Sequence, residues 1–207
     1  MKIMIEREAE DFLEKEGFPV VERVEVKNEV QLLNNARRLG FPLAMKVVSQ
    51  KVLHKTDVGG VKLDIKTEDE LKQAFHELEK IQGFESVLIQ KYTQGNFVLV
   101  GIKKDPTFGH VIAAGLGGIF TEVMKDVSFR VVPLTKDDAL QMIEELKSYP
   151  ILKGVRGMKA NLDSIIEIIL KLSKLAEKYP KIQELDINPI VVNEEKSIIV
   201  DARIIFE

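Results

Sequence analysis

Four short strand-like segments follow one another between residues 97 and 133, and this run limits the fold more than any other feature of the sequence. The segments cover residues 97–103, 110–114, 119–124 and 129–133. Turns at Asp105-Pro106 and at the GLGG sequence of residues 115–118 separate them. Four strands so close in sequence predict an antiparallel sheet.

Helices with clear start signals lie on both sides of this run. Three capping pairs, each a short polar residue followed three positions later by Gln, Glu or Asp, are Asn28 with Gln31, Thr67 with Glu70 and Thr135 with Asp138. We predict helices over residues 8–16, 28–39, 67–83, 135–147 and 161–179, and further strands over 20–26, 43–48, 61–66, 86–92, 184–192 and 197–202. The long helix 161–179 is amphipathic, and we expect its apolar face to be buried on the protein's own sheet.

Composition narrows the class of protein. With 207 residues, 45% of them hydrophobic, the chain can bury one core or the cores of two packed lobes. The net charge of -3, from 30 basic and 33 acidic residues, gives no basic field for nucleic acid or an anionic membrane. The absence of cysteine excludes disulfides and thiolate chemistry and suits a reducing compartment. The sequence shows neither a signal peptide nor a membrane-spanning stretch, so we expect a cytoplasmic protein.

The segment 42–60, PLAMKVVSQKVLHKTDVGG, joins an apolar strand to a polar loop. The strand is apolar apart from Lys46, whose charge a buried strand does not tolerate without a partner. A phosphate group would be a suitable partner. After the loop, Gly59 and Gly60 allow the backbone to turn back sharply. We predict that Lys46, Gly59 and Gly60 belong to a cofactor-binding site.

His54 lies in this polar loop between Lys51 and Lys55. The two lysines oppose a third positive charge on the imidazole, and the neutral ring is a nucleophile towards phosphorus. They would also attract an anionic phosphate, while Asp57 could orient the ring through its second nitrogen. His54 and Asp57 are therefore candidate catalytic residues, and a solvated surface histidine is the alternative.

Oxygen-bearing side chains cluster in the last two predicted strands, at Asp186, Asn188 and Asp201. Oxygen ligands on neighbouring strands at one end of a sheet suit Mg²⁺, which takes few protein oxygens together with phosphates and waters. The alternative is a turn-forming asparagine before Pro189 and a surface aspartate.

Taken together, the motifs resemble the ATP-grasp β subunit of ADP-forming acetyl-CoA (acyl-CoA) synthetases, and more distantly the succinyl-CoA synthetase β chain. The matching segments, in the family's order, are PLAMKVVSQKVLHKTDVGGVKL, VLIQKY, GIKKDPTFG, GLGGIFTEVMKDVSFRVVPLT, YPILKGVRG and ELDINPIVVNEEKSIIVDARI. A GLGG turn or a DINP tetrapeptide alone is weak evidence for a family. The six segments together cover nearly the whole chain, and their combination is specific.

The resemblance implies an ATP-grasp fold, an α/β unit of two α+β lobes with the nucleotide site between them. Residues 1–207 would form one such unit, with 20–91 as the smaller lobe, 92–207 as the larger lobe and 1–19 packed on the larger lobe. Lys46 would contact the nucleotide phosphates. The hinge beside the adenine would be formed by Gln90, Lys91 and Tyr92.

The resemblance also implies chemical roles. Asn188 and Asp201 match the family's Mg²⁺ positions, and Arg130 matches an arginine near the phosphates. His54 matches the histidine that carries the phosphoryl group between the partner subunit and the nucleotide, in the reversible reaction acyl-CoA + ADP + phosphate = acid + CoA + ATP. A CoA-binding α subunit, in an α2β2 heterotetramer, would complete the reaction, because no segment here resembles a CoA-binding Rossmann domain.

Two positions depart from the family pattern. Relatives usually carry a glutamate where this chain has Phe97, and an acidic residue is common where it has Lys91. Both would touch the nucleotide and so bear on its affinity and on base preference. Two other functions remain as alternatives, an ATP-grasp carboxylate-amine ligase and a non-catalytic nucleotide-binding module. The histidine of HKTDVGG disfavours the first, and the joint presence of Lys46, His54, Asn188 and Asp201 disfavours the second.

Overall fold

A computed structural model describes residues 1–49, 55–117, 126–155 and 157–207. The chain divides into two compact units, one formed by Met1–Val20 with Gln94–Glu207 and the other by Val21–Thr93. In chain order the elements are β1 (Lys2–Ile5), α1 (Arg7–Lys15), β2 (Arg23–Val26), α2 (Glu29–Leu39), β3 (Leu43–Val48), β4 (Val61–Ile65), α3 (Glu68–Leu78), β5 (Ser86–Lys91), β6 (Asn96–Asp105), β7 (Gly109–Leu116), β8 (Val127–Val131), α4 (Lys136–Glu144), α5 (Tyr149–Leu152), α6 (Leu162–Lys178), β9 (Ile182–Val192), β10 (Ser197–Ile199) and β11 (Ala202–Phe206).

The larger unit is built on a seven-stranded sheet of order β1-β11-β9-β6-β7-β8, with β10 paired to β9. Its pairs are antiparallel, as the closely spaced strands predicted. Alternate side chains such as Val100, Ile112 and Leu185 lie fully buried in one hydrophobic core with those of α4 and α6. The residues between them, including Gly101 and Asp186, therefore lie on the opposite face of the sheet.

Helix α6 is the largest apolar element packed on this sheet. Its N-cap is Asn161, whose Oδ1 accepts a hydrogen bond from the backbone N of Ser164 at 3.0 Å. Ile165, Ile169 and Leu172 are buried in the core. The amphipathic face therefore packs against the protein's own sheet, as its periodicity predicted.

The smaller unit is a four-stranded sheet of order β2-β5-β3-β4 with α2 and α3 packed on one face. Both helices begin where their capping pairs predicted. The Asn28 side chain accepts from the N of Gln31 at 2.9 Å, and the Thr67 side chain accepts from the N of Glu70 at 3.2 Å. Phe75 is among the largest side chains of this unit's core.

Several elements differ from the sequence prediction. Residues 2–5 form β1, which pairs with β11 at the other end of the chain and was not predicted. Helix α4 ends at Glu144 rather than at residue 147, because the Asp126 carboxylate accepts hydrogen bonds from the N of Lys147 and of Ser148 at 2.9 and 2.7 Å. Helix α3 ends at Leu78 rather than near residue 83. The strand predicted over 119–124 lies outside the described residues.

Across the described ranges, no helix combines the length and the apolar character needed to span a bilayer.

Candidate functional site

Lys46 lies in the middle of β3, where it pairs with Leu88 of β5 and Val61 of β4. Its neighbours Met45 and Val47 belong to the core beneath the sheet, so the Lys46 side chain leaves the opposite face. Only 6% of the residue is exposed. A lysine held this deeply in a strand can present its ammonium at a fixed position, as a phosphate contact requires.

A tight turn follows over residues 55–60 and returns the chain to β3. The N of Gly60 donates to the carbonyl of Lys55 at 2.7 Å, and the carbonyl of Gly60 accepts from the N of Val47 at 2.8 Å. Gly59 has φ +69°, which favours glycine. A Cβ on Gly60 would lie 2.7 Å from Cγ1 of Val47, so this turn has no room for a side chain. Gly59 and Gly60 thus form a fixed turn, and the exposed Asp57 lies within it. His54 lies outside the described residues.

The predicted hinge residues occupy the end of β5. Gln90 is 1% exposed and pairs with Ala44. The backbone N of Tyr92 donates to the carbonyl of Pro42 at 3.0 Å. The ammonium of Lys91 donates to the carbonyl of Leu39 at 3.1 Å, at the C-terminal end of α2. This position stabilises the helix end through its unpaired carbonyls and dipole. The positive charge of Lys91 therefore stabilises the C-terminal end of α2 within the smaller unit.

Asn188 and Asp201 lie together in the larger unit. The backbone N of Asn188 donates to the carbonyl of Asp201 at 3.3 Å, and the N of Val200 donates to the carbonyl of Pro189 at 3.3 Å. The register of β9 against β6 shifts beside Asn188, between Val98 and Val100. The sequence predicted Asp201 to lie within a strand, but the structure places it in the break between β10 and β11. The break follows from Pro189, which has no N–H to continue the ladder.

Asp186 lies two residues before Asn188 and adds a carboxylate to this region. Burial raises the pKa of Asp186, the carboxylates of Glu184 and Asp201 act in the same direction, and Arg203 opposes them. Amide and carboxylate oxygens are the donors that Mg²⁺ prefers, so the residues present fit that ion. Within the described ranges no group of three or more His, Cys, Asp and Glu could hold a metal by itself. Mg²⁺ does not need such a group, since it takes one or two protein ligands together with phosphates.

Arg130 is not brought to this region. It pairs with Ile112, whose side chain is buried in the core beneath the sheet, whereas Asp186 lies on the other face. Its guanidinium donates two hydrogen bonds to the Glu145 carboxylate, at 2.9 and 2.8 Å. The bond to Glu145 raises the pKa of Arg130 and lowers that of Glu145. Ser128 also donates to Glu145. In this structure Arg130 is part of an ion pair below the edge of the sheet.

Comparison with known proteins identifies the family. A model of the ATP-grasp domain matches residues 1–206. The β subunit of acetate–CoA ligase [ADP-forming] I from Pyrococcus furiosus is 42% identical, over 98% of this chain and 91% of the relative. The chain belongs to the ATP-grasp family of ADP-forming acetate–CoA ligase β subunits. The predicted family, fold and enzyme class are thereby confirmed.

Longer relatives and solved structures place the family in context. The ADP-forming acetate–CoA ligase II of Archaeoglobus fulgidus is 40% identical, over 98% of this chain but only 30% of the relative. The acetyl-CoA synthetase 1 of Ca. Korarchaeum cryptofilum, solved with coenzyme A and Ca-AMPCP, superposes with a TM-score of 0.92 at 36% identity, covering 100% of this chain and 94% of that one. A second structure of that synthetase contains coenzyme A and Mg-AMPPCP, with its phosphohistidine segment pointing towards the nucleotide site. It superposes at 0.86 with 36% identity, covering 100% and 93%.

One feature of the site escaped the sequence prediction. Gly117 was recognised only as part of a glycine-rich turn, yet it lies directly against Asn188. The sequence shows that Gly117 is a glycine next to a predicted strand. It does not show which side chain this glycine contacts.

Proposed function

We propose that this protein binds ADP or ATP with Mg²⁺ and transfers a phosphoryl group between the nucleotide and His54. The overall reaction would be acyl-CoA + ADP + phosphate = acid + CoA + ATP. The observation that carries the proposal is the match, over the full length of this chain, to a synthetase solved with Mg-AMPPCP and with a phosphohistidine segment directed at the nucleotide site.

The chain's own residues support definite roles. Lys46, fixed in β3, would hold the phosphates, and Gln90, Lys91 and Tyr92 would border the adenine. Asn188 and Asp201 would hold Mg²⁺, which when bound supplies positive charge that offsets the charge of the phosphates. The register of β8 and the pair with Glu145 hold Arg130 on the other face of the sheet from Asp186, so we assign it a structural role and leave the phosphates to Lys46 and Mg²⁺.

The turn at residues 55–60 supports a particular arrangement around His54. Asp57 would orient the imidazole, as the third group of a triad does. Gly59 and Gly60 would fix the C-terminal end of the phosphohistidine segment. Its backbone hydrogen bonds to Lys55 and Val47 hold Gly60 in place, so we assign this glycine an anchoring role.

A partner is part of the proposal. The Pyrococcus relative is named a β subunit, and the Archaeoglobus relative contains a similar sequence as about a third of one longer chain. We propose that a separate CoA-binding α subunit completes the reaction, in an α2β2 assembly. The cysteine-free composition suits a reducing cytoplasm as the location.

The test is phosphorylation with terminally labelled ATP and Mg²⁺, with and without a candidate α subunit. Wild type should acquire acid-labile, base-stable label, and His54→Asn should not. The chain has three histidines, so His76→Asn and His110→Asn are matched controls that should keep the label. Demonstrated ATP binding without label in either condition would favour a non-catalytic module. Acyl phosphate made by the lone chain would favour a carboxylate-amine ligase.

A further inference from the structure

Gly117 lies at the end of β7, directly against the side chain of Asn188. A Cβ built on Gly117 would be 3.1 Å from Oδ1 of Asn188, and 3.2 and 3.3 Å from the carbonyl carbons of Val98 and Phe97. All three distances are shorter than ordinary van der Waals contact. An alanine here would therefore have to displace one of these neighbours by a few tenths of an ångström.

Backbone conformation does not explain the glycine. Gly117 does not adopt the positive φ that seven other glycines of the described chain adopt, including Gly109 at the start of the same strand. Its φ therefore does not call for glycine. The requirement for glycine at this position is therefore one of space.

Among the three neighbours, the Asn188 oxygen is the one that belongs to a side chain and not to the paired backbone. Phe97 and Val98 lie in β6, which is paired with β9 on one side and β7 on the other. The carbonyl of Phe97 also accepts a hydrogen bond from the N of Gly117 at 2.8 Å. An added methyl group would thus push the Asn188 amide away from Gly117 rather than shift the sheet.

We infer that Gly117 is a positioning residue, whose missing side chain sets the place of Oδ1 of Asn188 for binding Mg²⁺. This inference rests on the proposed function of Asn188 as a metal ligand. Mg²⁺ requires near-ideal octahedral geometry with oxygens at about 2.0–2.1 Å, so a displacement of a few tenths of an ångström weakens its binding.

The experiment measures ADP binding by the full chain at increasing Mg²⁺ concentrations and in EDTA, by calorimetry, for wild type, Gly117→Ala, Asn188→Ala and the double variant. Mn²⁺ binding in the presence of ADP, followed by electron paramagnetic resonance, is an independent readout of the metal. We expect Gly117→Ala to weaken metal binding about tenfold, the size typical of changes next to a metal ligand. ADP affinity in EDTA should not change. The double variant should match Asn188→Ala, because Gly117 acts through that side chain.

Gly109→Ala is the matched control. It replaces a glycine of the same strand whose Cβ would meet nothing within 4 Å, and its positive φ makes it a control for lost stability. Metal binding should be unchanged in this variant. A normal metal response in Asn188→Ala would refute the metal site itself. A metal defect in Asn188→Ala with none in Gly117→Ala would refute only the positioning role. Weaker ADP binding by Gly117→Ala in EDTA would also refute the positioning role, since Gly117 would then affect the nucleotide directly. A lower metal affinity in the double variant than in Asn188→Ala would refute it too, since Gly117 would then act through another group.

Discussion

Replacing Gly60 with alanine should loosen the turn that follows the predicted phosphohistidine. The new Cβ would lie 2.7 Å from Cγ1 of Val47 and 3.0 Å from the carbonyl oxygen of Lys55. Val47 is buried in the core of the smaller unit, and the Lys55 carbonyl is bonded to the N of Gly60. The methyl group has no free space, so either the Val47 side chain or the turn must move.

The cost follows from overpacking of a dense interior, which typically lowers the free energy of unfolding by about 1–3 kcal/mol. For a chain of this size a loss of about 2 kcal/mol lowers the melting temperature by roughly 4–8 °C. Val47→Ala removes the closest contact and by itself costs about 2 kcal/mol in lost burial and cavity. In the double variant the smaller side chain leaves room for the new methyl group. The free energy of unfolding should therefore fall by about 1 kcal/mol less than the sum of the two single losses.

Hydrogen exchange followed by mass spectrometry is the suitable assay, because it reports on residues 21–93 separately from the larger unit. Gly60→Ala should raise exchange in peptides that contain Val47 and Lys55, and it should slow phosphorylation of His54. Strictly additive losses in the double variant would show that contact with Val47 is not what Gly60 avoids. Unchanged exchange in these peptides would refute the clash itself.

Three further substitutions test other contacts. Glu145→Gln removes the carboxylate that holds Arg130, so the free energy of unfolding should fall by about 0.5–1 kcal/mol while phosphoryl transfer stays unchanged. Lys91→Met removes the ammonium at the end of α2 and should cost about 0.5 kcal/mol in thermal unfolding. The ammonium of Lys178 and the hydroxyl of Tyr179 lower the pKa of Glu16, which therefore stabilises the fold above the carboxylate's unfolded pKa and loses this effect as pH falls through its folded pKa. Glu16→Gln should make the melting temperature less sensitive to acid.

Each of these substitutions has a neutral counterpart. Glu144→Gln removes the adjacent carboxylate, which accepts a hydrogen bond from the Tyr149 hydroxyl at 3.4 Å and not from Arg130. Lys103→Met removes an exposed lysine, and Glu8→Gln removes an exposed glutamate of α1. A slower phosphoryl transfer in Glu145→Gln would contradict the purely structural role of the ion pair. Equal effects of Lys91→Met and Lys103→Met would contradict capping. Parallel pH profiles for wild type and Glu16→Gln would contradict the role of Glu16.

Local signals predicted the helices well. Asn28, Thr67 and Thr135 cap helices where expected, because a capping hydrogen bond spans only three residues and is readable from spacing alone. The early end of α4 was not readable in this way. It depends on Asp126, which lies some twenty residues earlier in the chain and draws the backbone of Lys147 out of the helix.

Side-chain placement in the sheet was the harder part. The face on which Arg130 lies is fixed by its register with Ile112, and a shift of one residue would have put it on the face of Asp186. Motif resemblance assigns a residue to a site without fixing that register. Strand β1 was missed for a related reason, since four residues carry little periodicity and their partner β11 is at the far end of the sequence.

The pairing of β1 with β11 has a consequence for how the protein is made. Lys2 pairs with Phe206, so the large sheet cannot close at this edge until residue 206 has left the ribosome. Residues 21–93 form their own sheet and core from one continuous stretch, and they can fold while the rest is still being synthesised. Until β11 is synthesised, β1 lacks its pairing partner. Removal of residues 202–206 would therefore impair the large unit first and leave the small one folded.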